Sequence, residues 1–215
     1  MTDRAGLPTT VAHRAGNSAA AAILAAGLDM IELDAHVFRG HVELRHAKVL
    51  RPSRRLWEQW YLLPRGARGV PIAEVLDTLE PEQPLLVDLK CFTRRAARRI
   101  LAEISEDRPI LVACRSWWVL RVASERPNAA MLRSCANRLQ VRLASLVPGL
   151  GERTGVTVRA HLLDADTVAE FRARTPLVYT WGFTSGPEAQ ALAALGVTGL
   201  ITDNPAWCAP EPRSS

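Results

Sequence analysis

Six ionisable residues stand at the ends of short strand-like runs. His13 follows Thr9-Thr10-Val11-Ala12, and Glu32 and Asp34 close Met30-Ile31-Glu32-Leu33-Asp34. His46 ends Val42-Glu43-Leu44-Arg45, and Asp88 and Lys90 close Leu85-Leu86-Val87-Asp88-Leu89-Lys90. Side chains two apart on a strand share a face, so Glu32 faces with Asp34 and Asp88 with Lys90. If those strands are neighbours, three carboxylates converge, and like charges so close repel unless a cation or protons intervene. An all-oxygen ligand set suits a hard divalent ion, Mg²⁺ or Ca²⁺. The other reading of the same acids is as structural ion pairs with Lys90, Arg14 or Arg45. Imidazole exchanges a proton near neutral pH. With His13 and His46 flanking a metal-held phosphate, one would take a proton from the nucleophile and the other would give one to the leaving alcohol.

Strand-like and helix-like segments alternate along the chain and would position these groups. The expected strands are Thr9–His13, Met30–Ala35, Pro84–Lys90, Ile110–Ala113, Ala129–Leu132, Val156–Ala160, Leu177–Trp181 and Gly199–Thr202. The expected helices are Ser18–Ala26, stopped by Gly27, then Pro71–Leu79, Thr93–Ile104, Ser116–Glu125, Arg138–Leu146, Ala165–Arg174 and Pro187–Leu195. A hairpin turning at Arg39-Gly40 returns through Val42 to Arg45, and Arg51 to Gly69 reads as a polar, Trp-rich, irregular excursion. Such alternation implies a parallel sheet, and eight units favour closure into a TIM-type (β/α)8 barrel with catalytic groups at the C-terminal rim. No G-x-G-x-x-G follows the first strand, which disfavours an open dinucleotide-binding sheet. Residues 1–215 read as a single barrel domain of the α/β class, with its core at about 9–207 and a reduced insertion after the second strand.

Composition narrows the class. The chain has 215 residues, 48% of them hydrophobic, and a net charge of +5. No apolar run reaches the ~18 residues of a membrane span, and the N-terminus lacks the apolar stretch of a secretory signal, so a cytoplasmic protein without integral membrane association is expected. Cys91, Cys114, Cys135 and Cys208 form no C-x-x-C pair and read as free thiols. Aromatic residues do not interleave with the arginines of Arg94 to Arg99, so no nucleic-acid surface is expected.

Several segments in order resemble the glycerophosphodiester phosphodiesterase family. They are Ala12-His13-Arg14-Ala15-Gly16-Asn17, Gly27-Leu28-Asp29-Met30-Ile31-Glu32-Leu33-Asp34, His46, Val87-Asp88-Leu89-Lys90, Val178-Tyr179-Thr180-Trp181 and the close Gly196 to Pro205. The resemblance implies a barrel that cleaves a phosphodiester, a glycerophosphodiester or lysophospholipid-like small molecule, with a divalent ion. It makes His13 and His46 the acid–base pair and Glu32, Asp34 and Asp88 the metal ligands. It assigns Arg14 and Lys90 to phosphate oxygens and Trp181 to the pocket wall. The chain departs from the family pattern at Ala15, where Gly is common, at Ala47, where Asp is common, and at Asp88, where Glu is usual. An Asp and a Lys two apart also resemble the related sphingomyelinase D toxins. A lyase that forms a cyclic phosphate, and a non-catalytic barrel that binds phosphorylated ligands, are the alternatives.

Other residues carry weaker signals. His36, His41 and His46 recur every fifth residue, but on a hairpin that spacing alternates faces and does not suit zinc. Arg115, Arg133 and His161 follow or end strands, where substrate contact and surface ion pairing are both open. Asp203 reads as a turn cap with Pro205.

Overall fold

The computed structural model describes residues 7–25, 28–46, 48–50, 55–58, 61–64 and 67–208; for residues 23, 48–50, 55–58 and 61 the description is of the backbone alone. Eight parallel strands form its centre: β1 Thr9–Ala12, β2 Met30–Phe38, β3 Leu85–Leu89, β4 Ile110–Cys114, β5 Ala129–Cys135, β6 Thr154–Arg159, β7 Val178–Trp181 and β8 Gly199–Thr202. Each pairs with its successor, and β8 pairs back onto β1 with Ala12 beside Thr202. Closure gives every strand a partner along both edges and leaves none open in this ring. The helices between strands are α1 Ala19–Ala25, α2 Ile72–Leu76, α3 Arg94–Ala102, α4 Arg138–Leu146, α5 Ala165–Arg172 and α6 Gly186–Ala194. This is the expected TIM-type (β/α)8 barrel.

The strands form because they are apolar on both faces. One set of side chains fills the barrel interior: Val11, Leu86, Leu111, Ala113, Leu132, Tyr179 and Ile201, with Met30, Ala130, Leu177 and Trp181 packed against them. The alternate set packs under the helices, as Val156, Val158 and Val178 do with Val168 and Phe171 of α5. Side-chain caps start the helices where the strands deliver them. Thr93, Asn137, Asp164 and Ser185 accept from backbone N–H groups three residues on, an arrangement that satisfies otherwise orphaned donors. Each of these four helices therefore begins at the C-terminal rim, which keeps its loop there short.

The departures from sequence expectation are local. β2 runs on to Phe38 because Ala35–Phe38 pairs antiparallel with His41–Leu44. Arg39 and Gly40 turn it, both at positive φ, the backbone a tight two-residue hairpin needs. The segment after β4, Trp117–Glu125, is a 3₁₀ helix, not an α-helix. The excursion expected to be irregular from Arg51 to Gly69 contributes Arg55–Glu58 and Tyr61–Leu62 to a small antiparallel sheet that begins before it at Lys48–Leu50. Its strands are too short and too charged for period-two reading to detect. Gly27 and Ala47 lie outside the described residues. Among those residues no helix is long and apolar enough to cross a membrane.

One close approach sets the spacing of the ring. A Cβ on Gly155 of β6 would lie 1.9 Å from the backbone oxygen of Leu177. Gly155→Ala is expected to destabilise by about 1–3 kcal/mol through forced backbone displacement; an unchanged midpoint in urea unfolding would show that β6 and β7 separate without cost.

Candidate active site

Closure places the expected site residues on consecutive strands at one rim. Glu32 and Asp34 lie on β2, and Asp34 is the direct register partner of Asp88 on β3. Like charges opposite one another repel, and Lys90, two residues beyond Asp88, lies between them. Its Nζ is 2.7 Å from Asp34 Oδ1 and also contacts Asp88 Oδ2. Oxygens from Glu32, Asp34 and Asp88 lie within 4.8 Å of one another. Of the ion pairs considered from sequence, Lys90 and Arg14 do face these acids, whereas Arg45 pairs instead with Glu43 at 3.2 Å.

The turn after β1 holds the acids from the other side. A Cβ on Gly16 would lie 1.7 Å from Leu33 Cδ2 and 2.8 Å from Glu32 O, so only glycine lets this turn lie flat against β2. Asn17 is thereby brought onto Asp34: its Nδ2 donates to Oδ2 at 2.8 Å, and its Oδ1 accepts from the Asp34 backbone N–H at 2.8 Å. Arg14 adopts a left-handed backbone with φ 55, which costs a non-glycine residue about 1 kcal/mol. That conformation points its N–H at Glu32 Oε2, 2.8 Å away, and a charge-assisted bond offsets the strain. Its guanidinium Nη2 reaches His46 Nε2 at 3.0 Å. The hairpin has carried His46 back to the rim, with the Arg45 N–H donating to Asp34 O at 3.0 Å.

His13 follows β1 and donates its backbone N–H to Thr202 O at 2.9 Å. Its Nδ1 lies 2.8 Å from Asp203 Oδ1, and its Nε2 lies 3.5 Å from Glu32 Oε2. A carboxylate acceptor fixes the proton on Nδ1 and leaves Nε2 facing the acids. Asp203 is thus not the turn cap expected. That turn is made by Thr202 and Asn204, which exchange two hydrogen bonds of 3.1 Å, and Asp203 is left to orient His13. Asp203 and Asn17 are the site residues that sequence reasoning passed over. Asp203 obeyed the same strand-end rule as the others, but its proximity to Pro205 suggested a local role.

The other candidates fall outside this network. Trp181, half-buried at the end of β7, packs on the barrel interior and has Arg159 over its ring. Arg133 faces outward and donates to the Val147 and Pro148 carbonyls, so it neither faces the rim nor forms an ion pair. Arg115 and His161 are exposed. His36 is buried 3.2 Å from Glu43 Oε1, while His41 is exposed, so the three regularly spaced histidines share no site.

Electrostatics show what the acids lack. Burial, reinforced by Asp34 and Asp88, pushes the Glu32 carboxyl well above the usual range. Burial also pushes Asp34 upward, but Lys90 and the Asn17 amide outweigh it and its net shift is downward. Lys90 loses stability as a cation through burial and regains more from Asp88, Asp34 and Glu32, so its value rises. One ammonium therefore serves two aspartates and leaves Glu32 undercompensated. An all-oxygen cluster short of positive charge fits a hard divalent cation held by Glu32, Asp34 and Asp88. Burial, with the Arg14 and Lys90 charges, lowers His46 to about 4. Burial lowers His13 too, with Asp203 opposing it.

The sign of the Glu32 shift has a measurable consequence. An acid whose value is raised by folding contributes its full stability below the ordinary carboxylate range and loses it as pH rises through the raised value. In chelator, the melting temperature of Glu32→Gln is expected to gain on that of the native chain as pH climbs from that range to neutrality. A pH-independent difference would mean that Glu32 titrates normally.

No family model matches the sequence, and no curated protein matches it. Solved structures do. A phosphodiesterase from Oleispira antarctica, in complex with the product sn-glycerol-3-phosphate, superposes with a TM-score of 0.68 at 19% identity, covering 92% of this chain and 93% of that one. A putative glycerophosphoryl diester phosphodiesterase from Silicibacter pomeroyi gives 0.73 at 16% identity, covering 95% and 93%. A glycerophosphodiester phosphodiesterase from Thermotoga maritima gives 0.66 at 15% identity, covering 91% and 94%. The chain therefore has the fold of the glycerophosphodiester phosphodiesterases.

Proposed function

We propose that this protein is a divalent-metal-dependent phosphodiesterase that cleaves glycerophosphodiesters or lysophospholipid-like diesters. The observation that carries this reading is the meeting of Glu32, Asp34 and Asp88 within 4.8 Å, with Lys90 between two of them and two imidazoles alongside. The shared fold supports it, since one similar enzyme holds sn-glycerol-3-phosphate. Glu32, Asp34 and Asp88 would hold Mg²⁺ or Ca²⁺, which when bound supplies Lewis-acid polarisation of a phosphoryl oxygen.

The remaining work falls to the chain's own groups. Lys90 and Arg14 bind the other non-bridging oxygen and offset the charge that builds on phosphorus. His13 and His46 form the proton-transfer pair. Asp203 holds the His13 ring through Nδ1, so that Nε2 meets the reacting oxygen. Arg14, in contact with His46 Nε2 at 3.0 Å, releases that nitrogen when its guanidinium turns to the phosphate. Trp181 walls the mouth. The four cysteines are free thiols, as expected for a cytoplasmic enzyme.

The test is turnover of bis(p-nitrophenyl) phosphate and of a glycerophosphodiester panel with Mg²⁺ or Ca²⁺, followed by chelator. Activity that needs the ion is expected, and binding without turnover under any ion would instead favour a phospho-ligand module. Phosphorus NMR of the product distinguishes hydrolysis from a persistent cyclic phosphate. His13→Ala and His46→Ala should each reduce turnover by about a hundredfold or more, with His13→Ala leaving the melting temperature nearly unchanged; a collapse of stability would make His13 structural. Asp203 raises the His13 value, so Asp203→Asn should move the His13 limb of the pH–rate profile to lower pH. A profile that falls uniformly without moving would remove Asp203 from this role.

A further inference from the structure

The phosphodiesterase reading leaves one arc of the barrel mouth unassigned. On β6, Val156 and Val158 pack under the outer helices, so Thr157 and Arg159 must face the barrel axis. On β7, Trp181 stands two residues beyond Tyr179 and packs on the interior side chains. Arg159 and Trp181 are direct register partners, with the guanidinium carbon 5.5 Å from the indole centroid. Trp181 is paired in turn with Ile201, two residues before Asp203, which holds His13. The mouth thus runs from the acids of β2 and β3, through His13 and Asp203, to Trp181 and Arg159.

Resting on that reading, we propose that Arg159, seated on Trp181, selects the head group: the mouth takes diesters whose alcohol carries a phosphate or carboxylate and turns away quaternary ammonium alcohols. An indole face is the surface a quaternary ammonium seeks. Here a guanidinium already covers it, and a second cation would meet like charge. A guanidinium held over the ring still carries N–H donors, and these match phosphate or carboxylate in bidentate fashion. Arg159 is exposed, and among the described residues no carboxylate pairs with it. Its charge is uncommitted, unlike those of Lys90 and Arg14. Below it on the same face, Thr157 Oγ1 is buried without a hydrogen-bond partner, a polar atom directed toward the same axis.

The experiment uses three diesters that share the glycerophosphoryl group: glycerophosphocholine, glycerophosphoinositol and a monophosphorylated glycerophosphoinositol. Ratios of kcat/KM are measured for the native chain, Arg159→Glu and Arg159→Lys, and the same ratios of affinity by calorimetry with chelator present. Melting curves confirm that each variant is folded. The native chain should prefer the phosphorylated diester over glycerophosphoinositol by about tenfold, the strength of one charged hydrogen bond, with glycerophosphocholine the poorest. Arg159→Glu should reverse the order, and Arg159→Lys should keep it with a smaller ratio. Ratios indifferent to residue 159, with all three diesters cleaved, overturn the selector and leave the phosphodiesterase intact. Affinity ratios that follow the charge at 159 while nothing is cleaved overturn the phosphodiesterase and leave the selector standing.

Discussion

Mutual repulsion among three buried or half-buried carboxylates is the constraint around which this molecule is arranged. Glu32 and Asp34 are inside the protein surface, and Asp88 stands directly across from Asp34. Such a group is costly unless each charge is met. Asp34 is met most completely, by Lys90 at 2.7 Å and by the Asn17 Nδ2 at 2.8 Å, while Asn17 Oδ1 holds its backbone N–H. Asp88 shares Lys90. Glu32 receives one backbone N–H, the lone-pair side of His13 Nε2 lies 3.5 Å away, and burial pushes its carboxyl well above the usual range. The imbalance is local and directional, and it gives the cluster an unmet demand for positive charge.

Barrel closure makes the arrangement possible. Asp203 and His13 are 190 residues apart yet 2.8 Å in space, because β8 returns to β1. The same closure sets Gly16 against Leu33 and so puts Asn17 on Asp34. The hairpin beyond β2 brings His46 back to the rim from which the strand departed. Each contribution comes from a different strand end, so the scaffold can be stiff while the side chains stay addressable one at a time.

Much of this was legible in the sequence because it depends on short periods. Glu32 with Asp34, and Asp88 with Lys90, follow from the two-residue repeat of a strand, and Arg39-Gly40 marks the hairpin that returns His46. The alternation of strands and capped helices specifies the barrel. What was not legible depends on long-range pairing. Asp203 beside Asn204-Pro205 looks the same in sequence whether it caps its own turn or reaches His13. Asn17 has no local signal that it will bind both the carboxylate and the backbone N–H of a residue 17 positions away. The small sheet across 48–62 is built from strands of two to four residues, below the length at which alternation can be counted.

The most direct measurement is calorimetric titration of the ion-free chain with Mg²⁺ and with Ca²⁺, beside Glu32→Gln, Asp34→Asn and Asp88→Asn. A single ion bound per chain, lost or strongly weakened in each of the three variants, is the predicted result. Undiminished binding in all three, or none in the native chain, would contradict a shared cation at this rim.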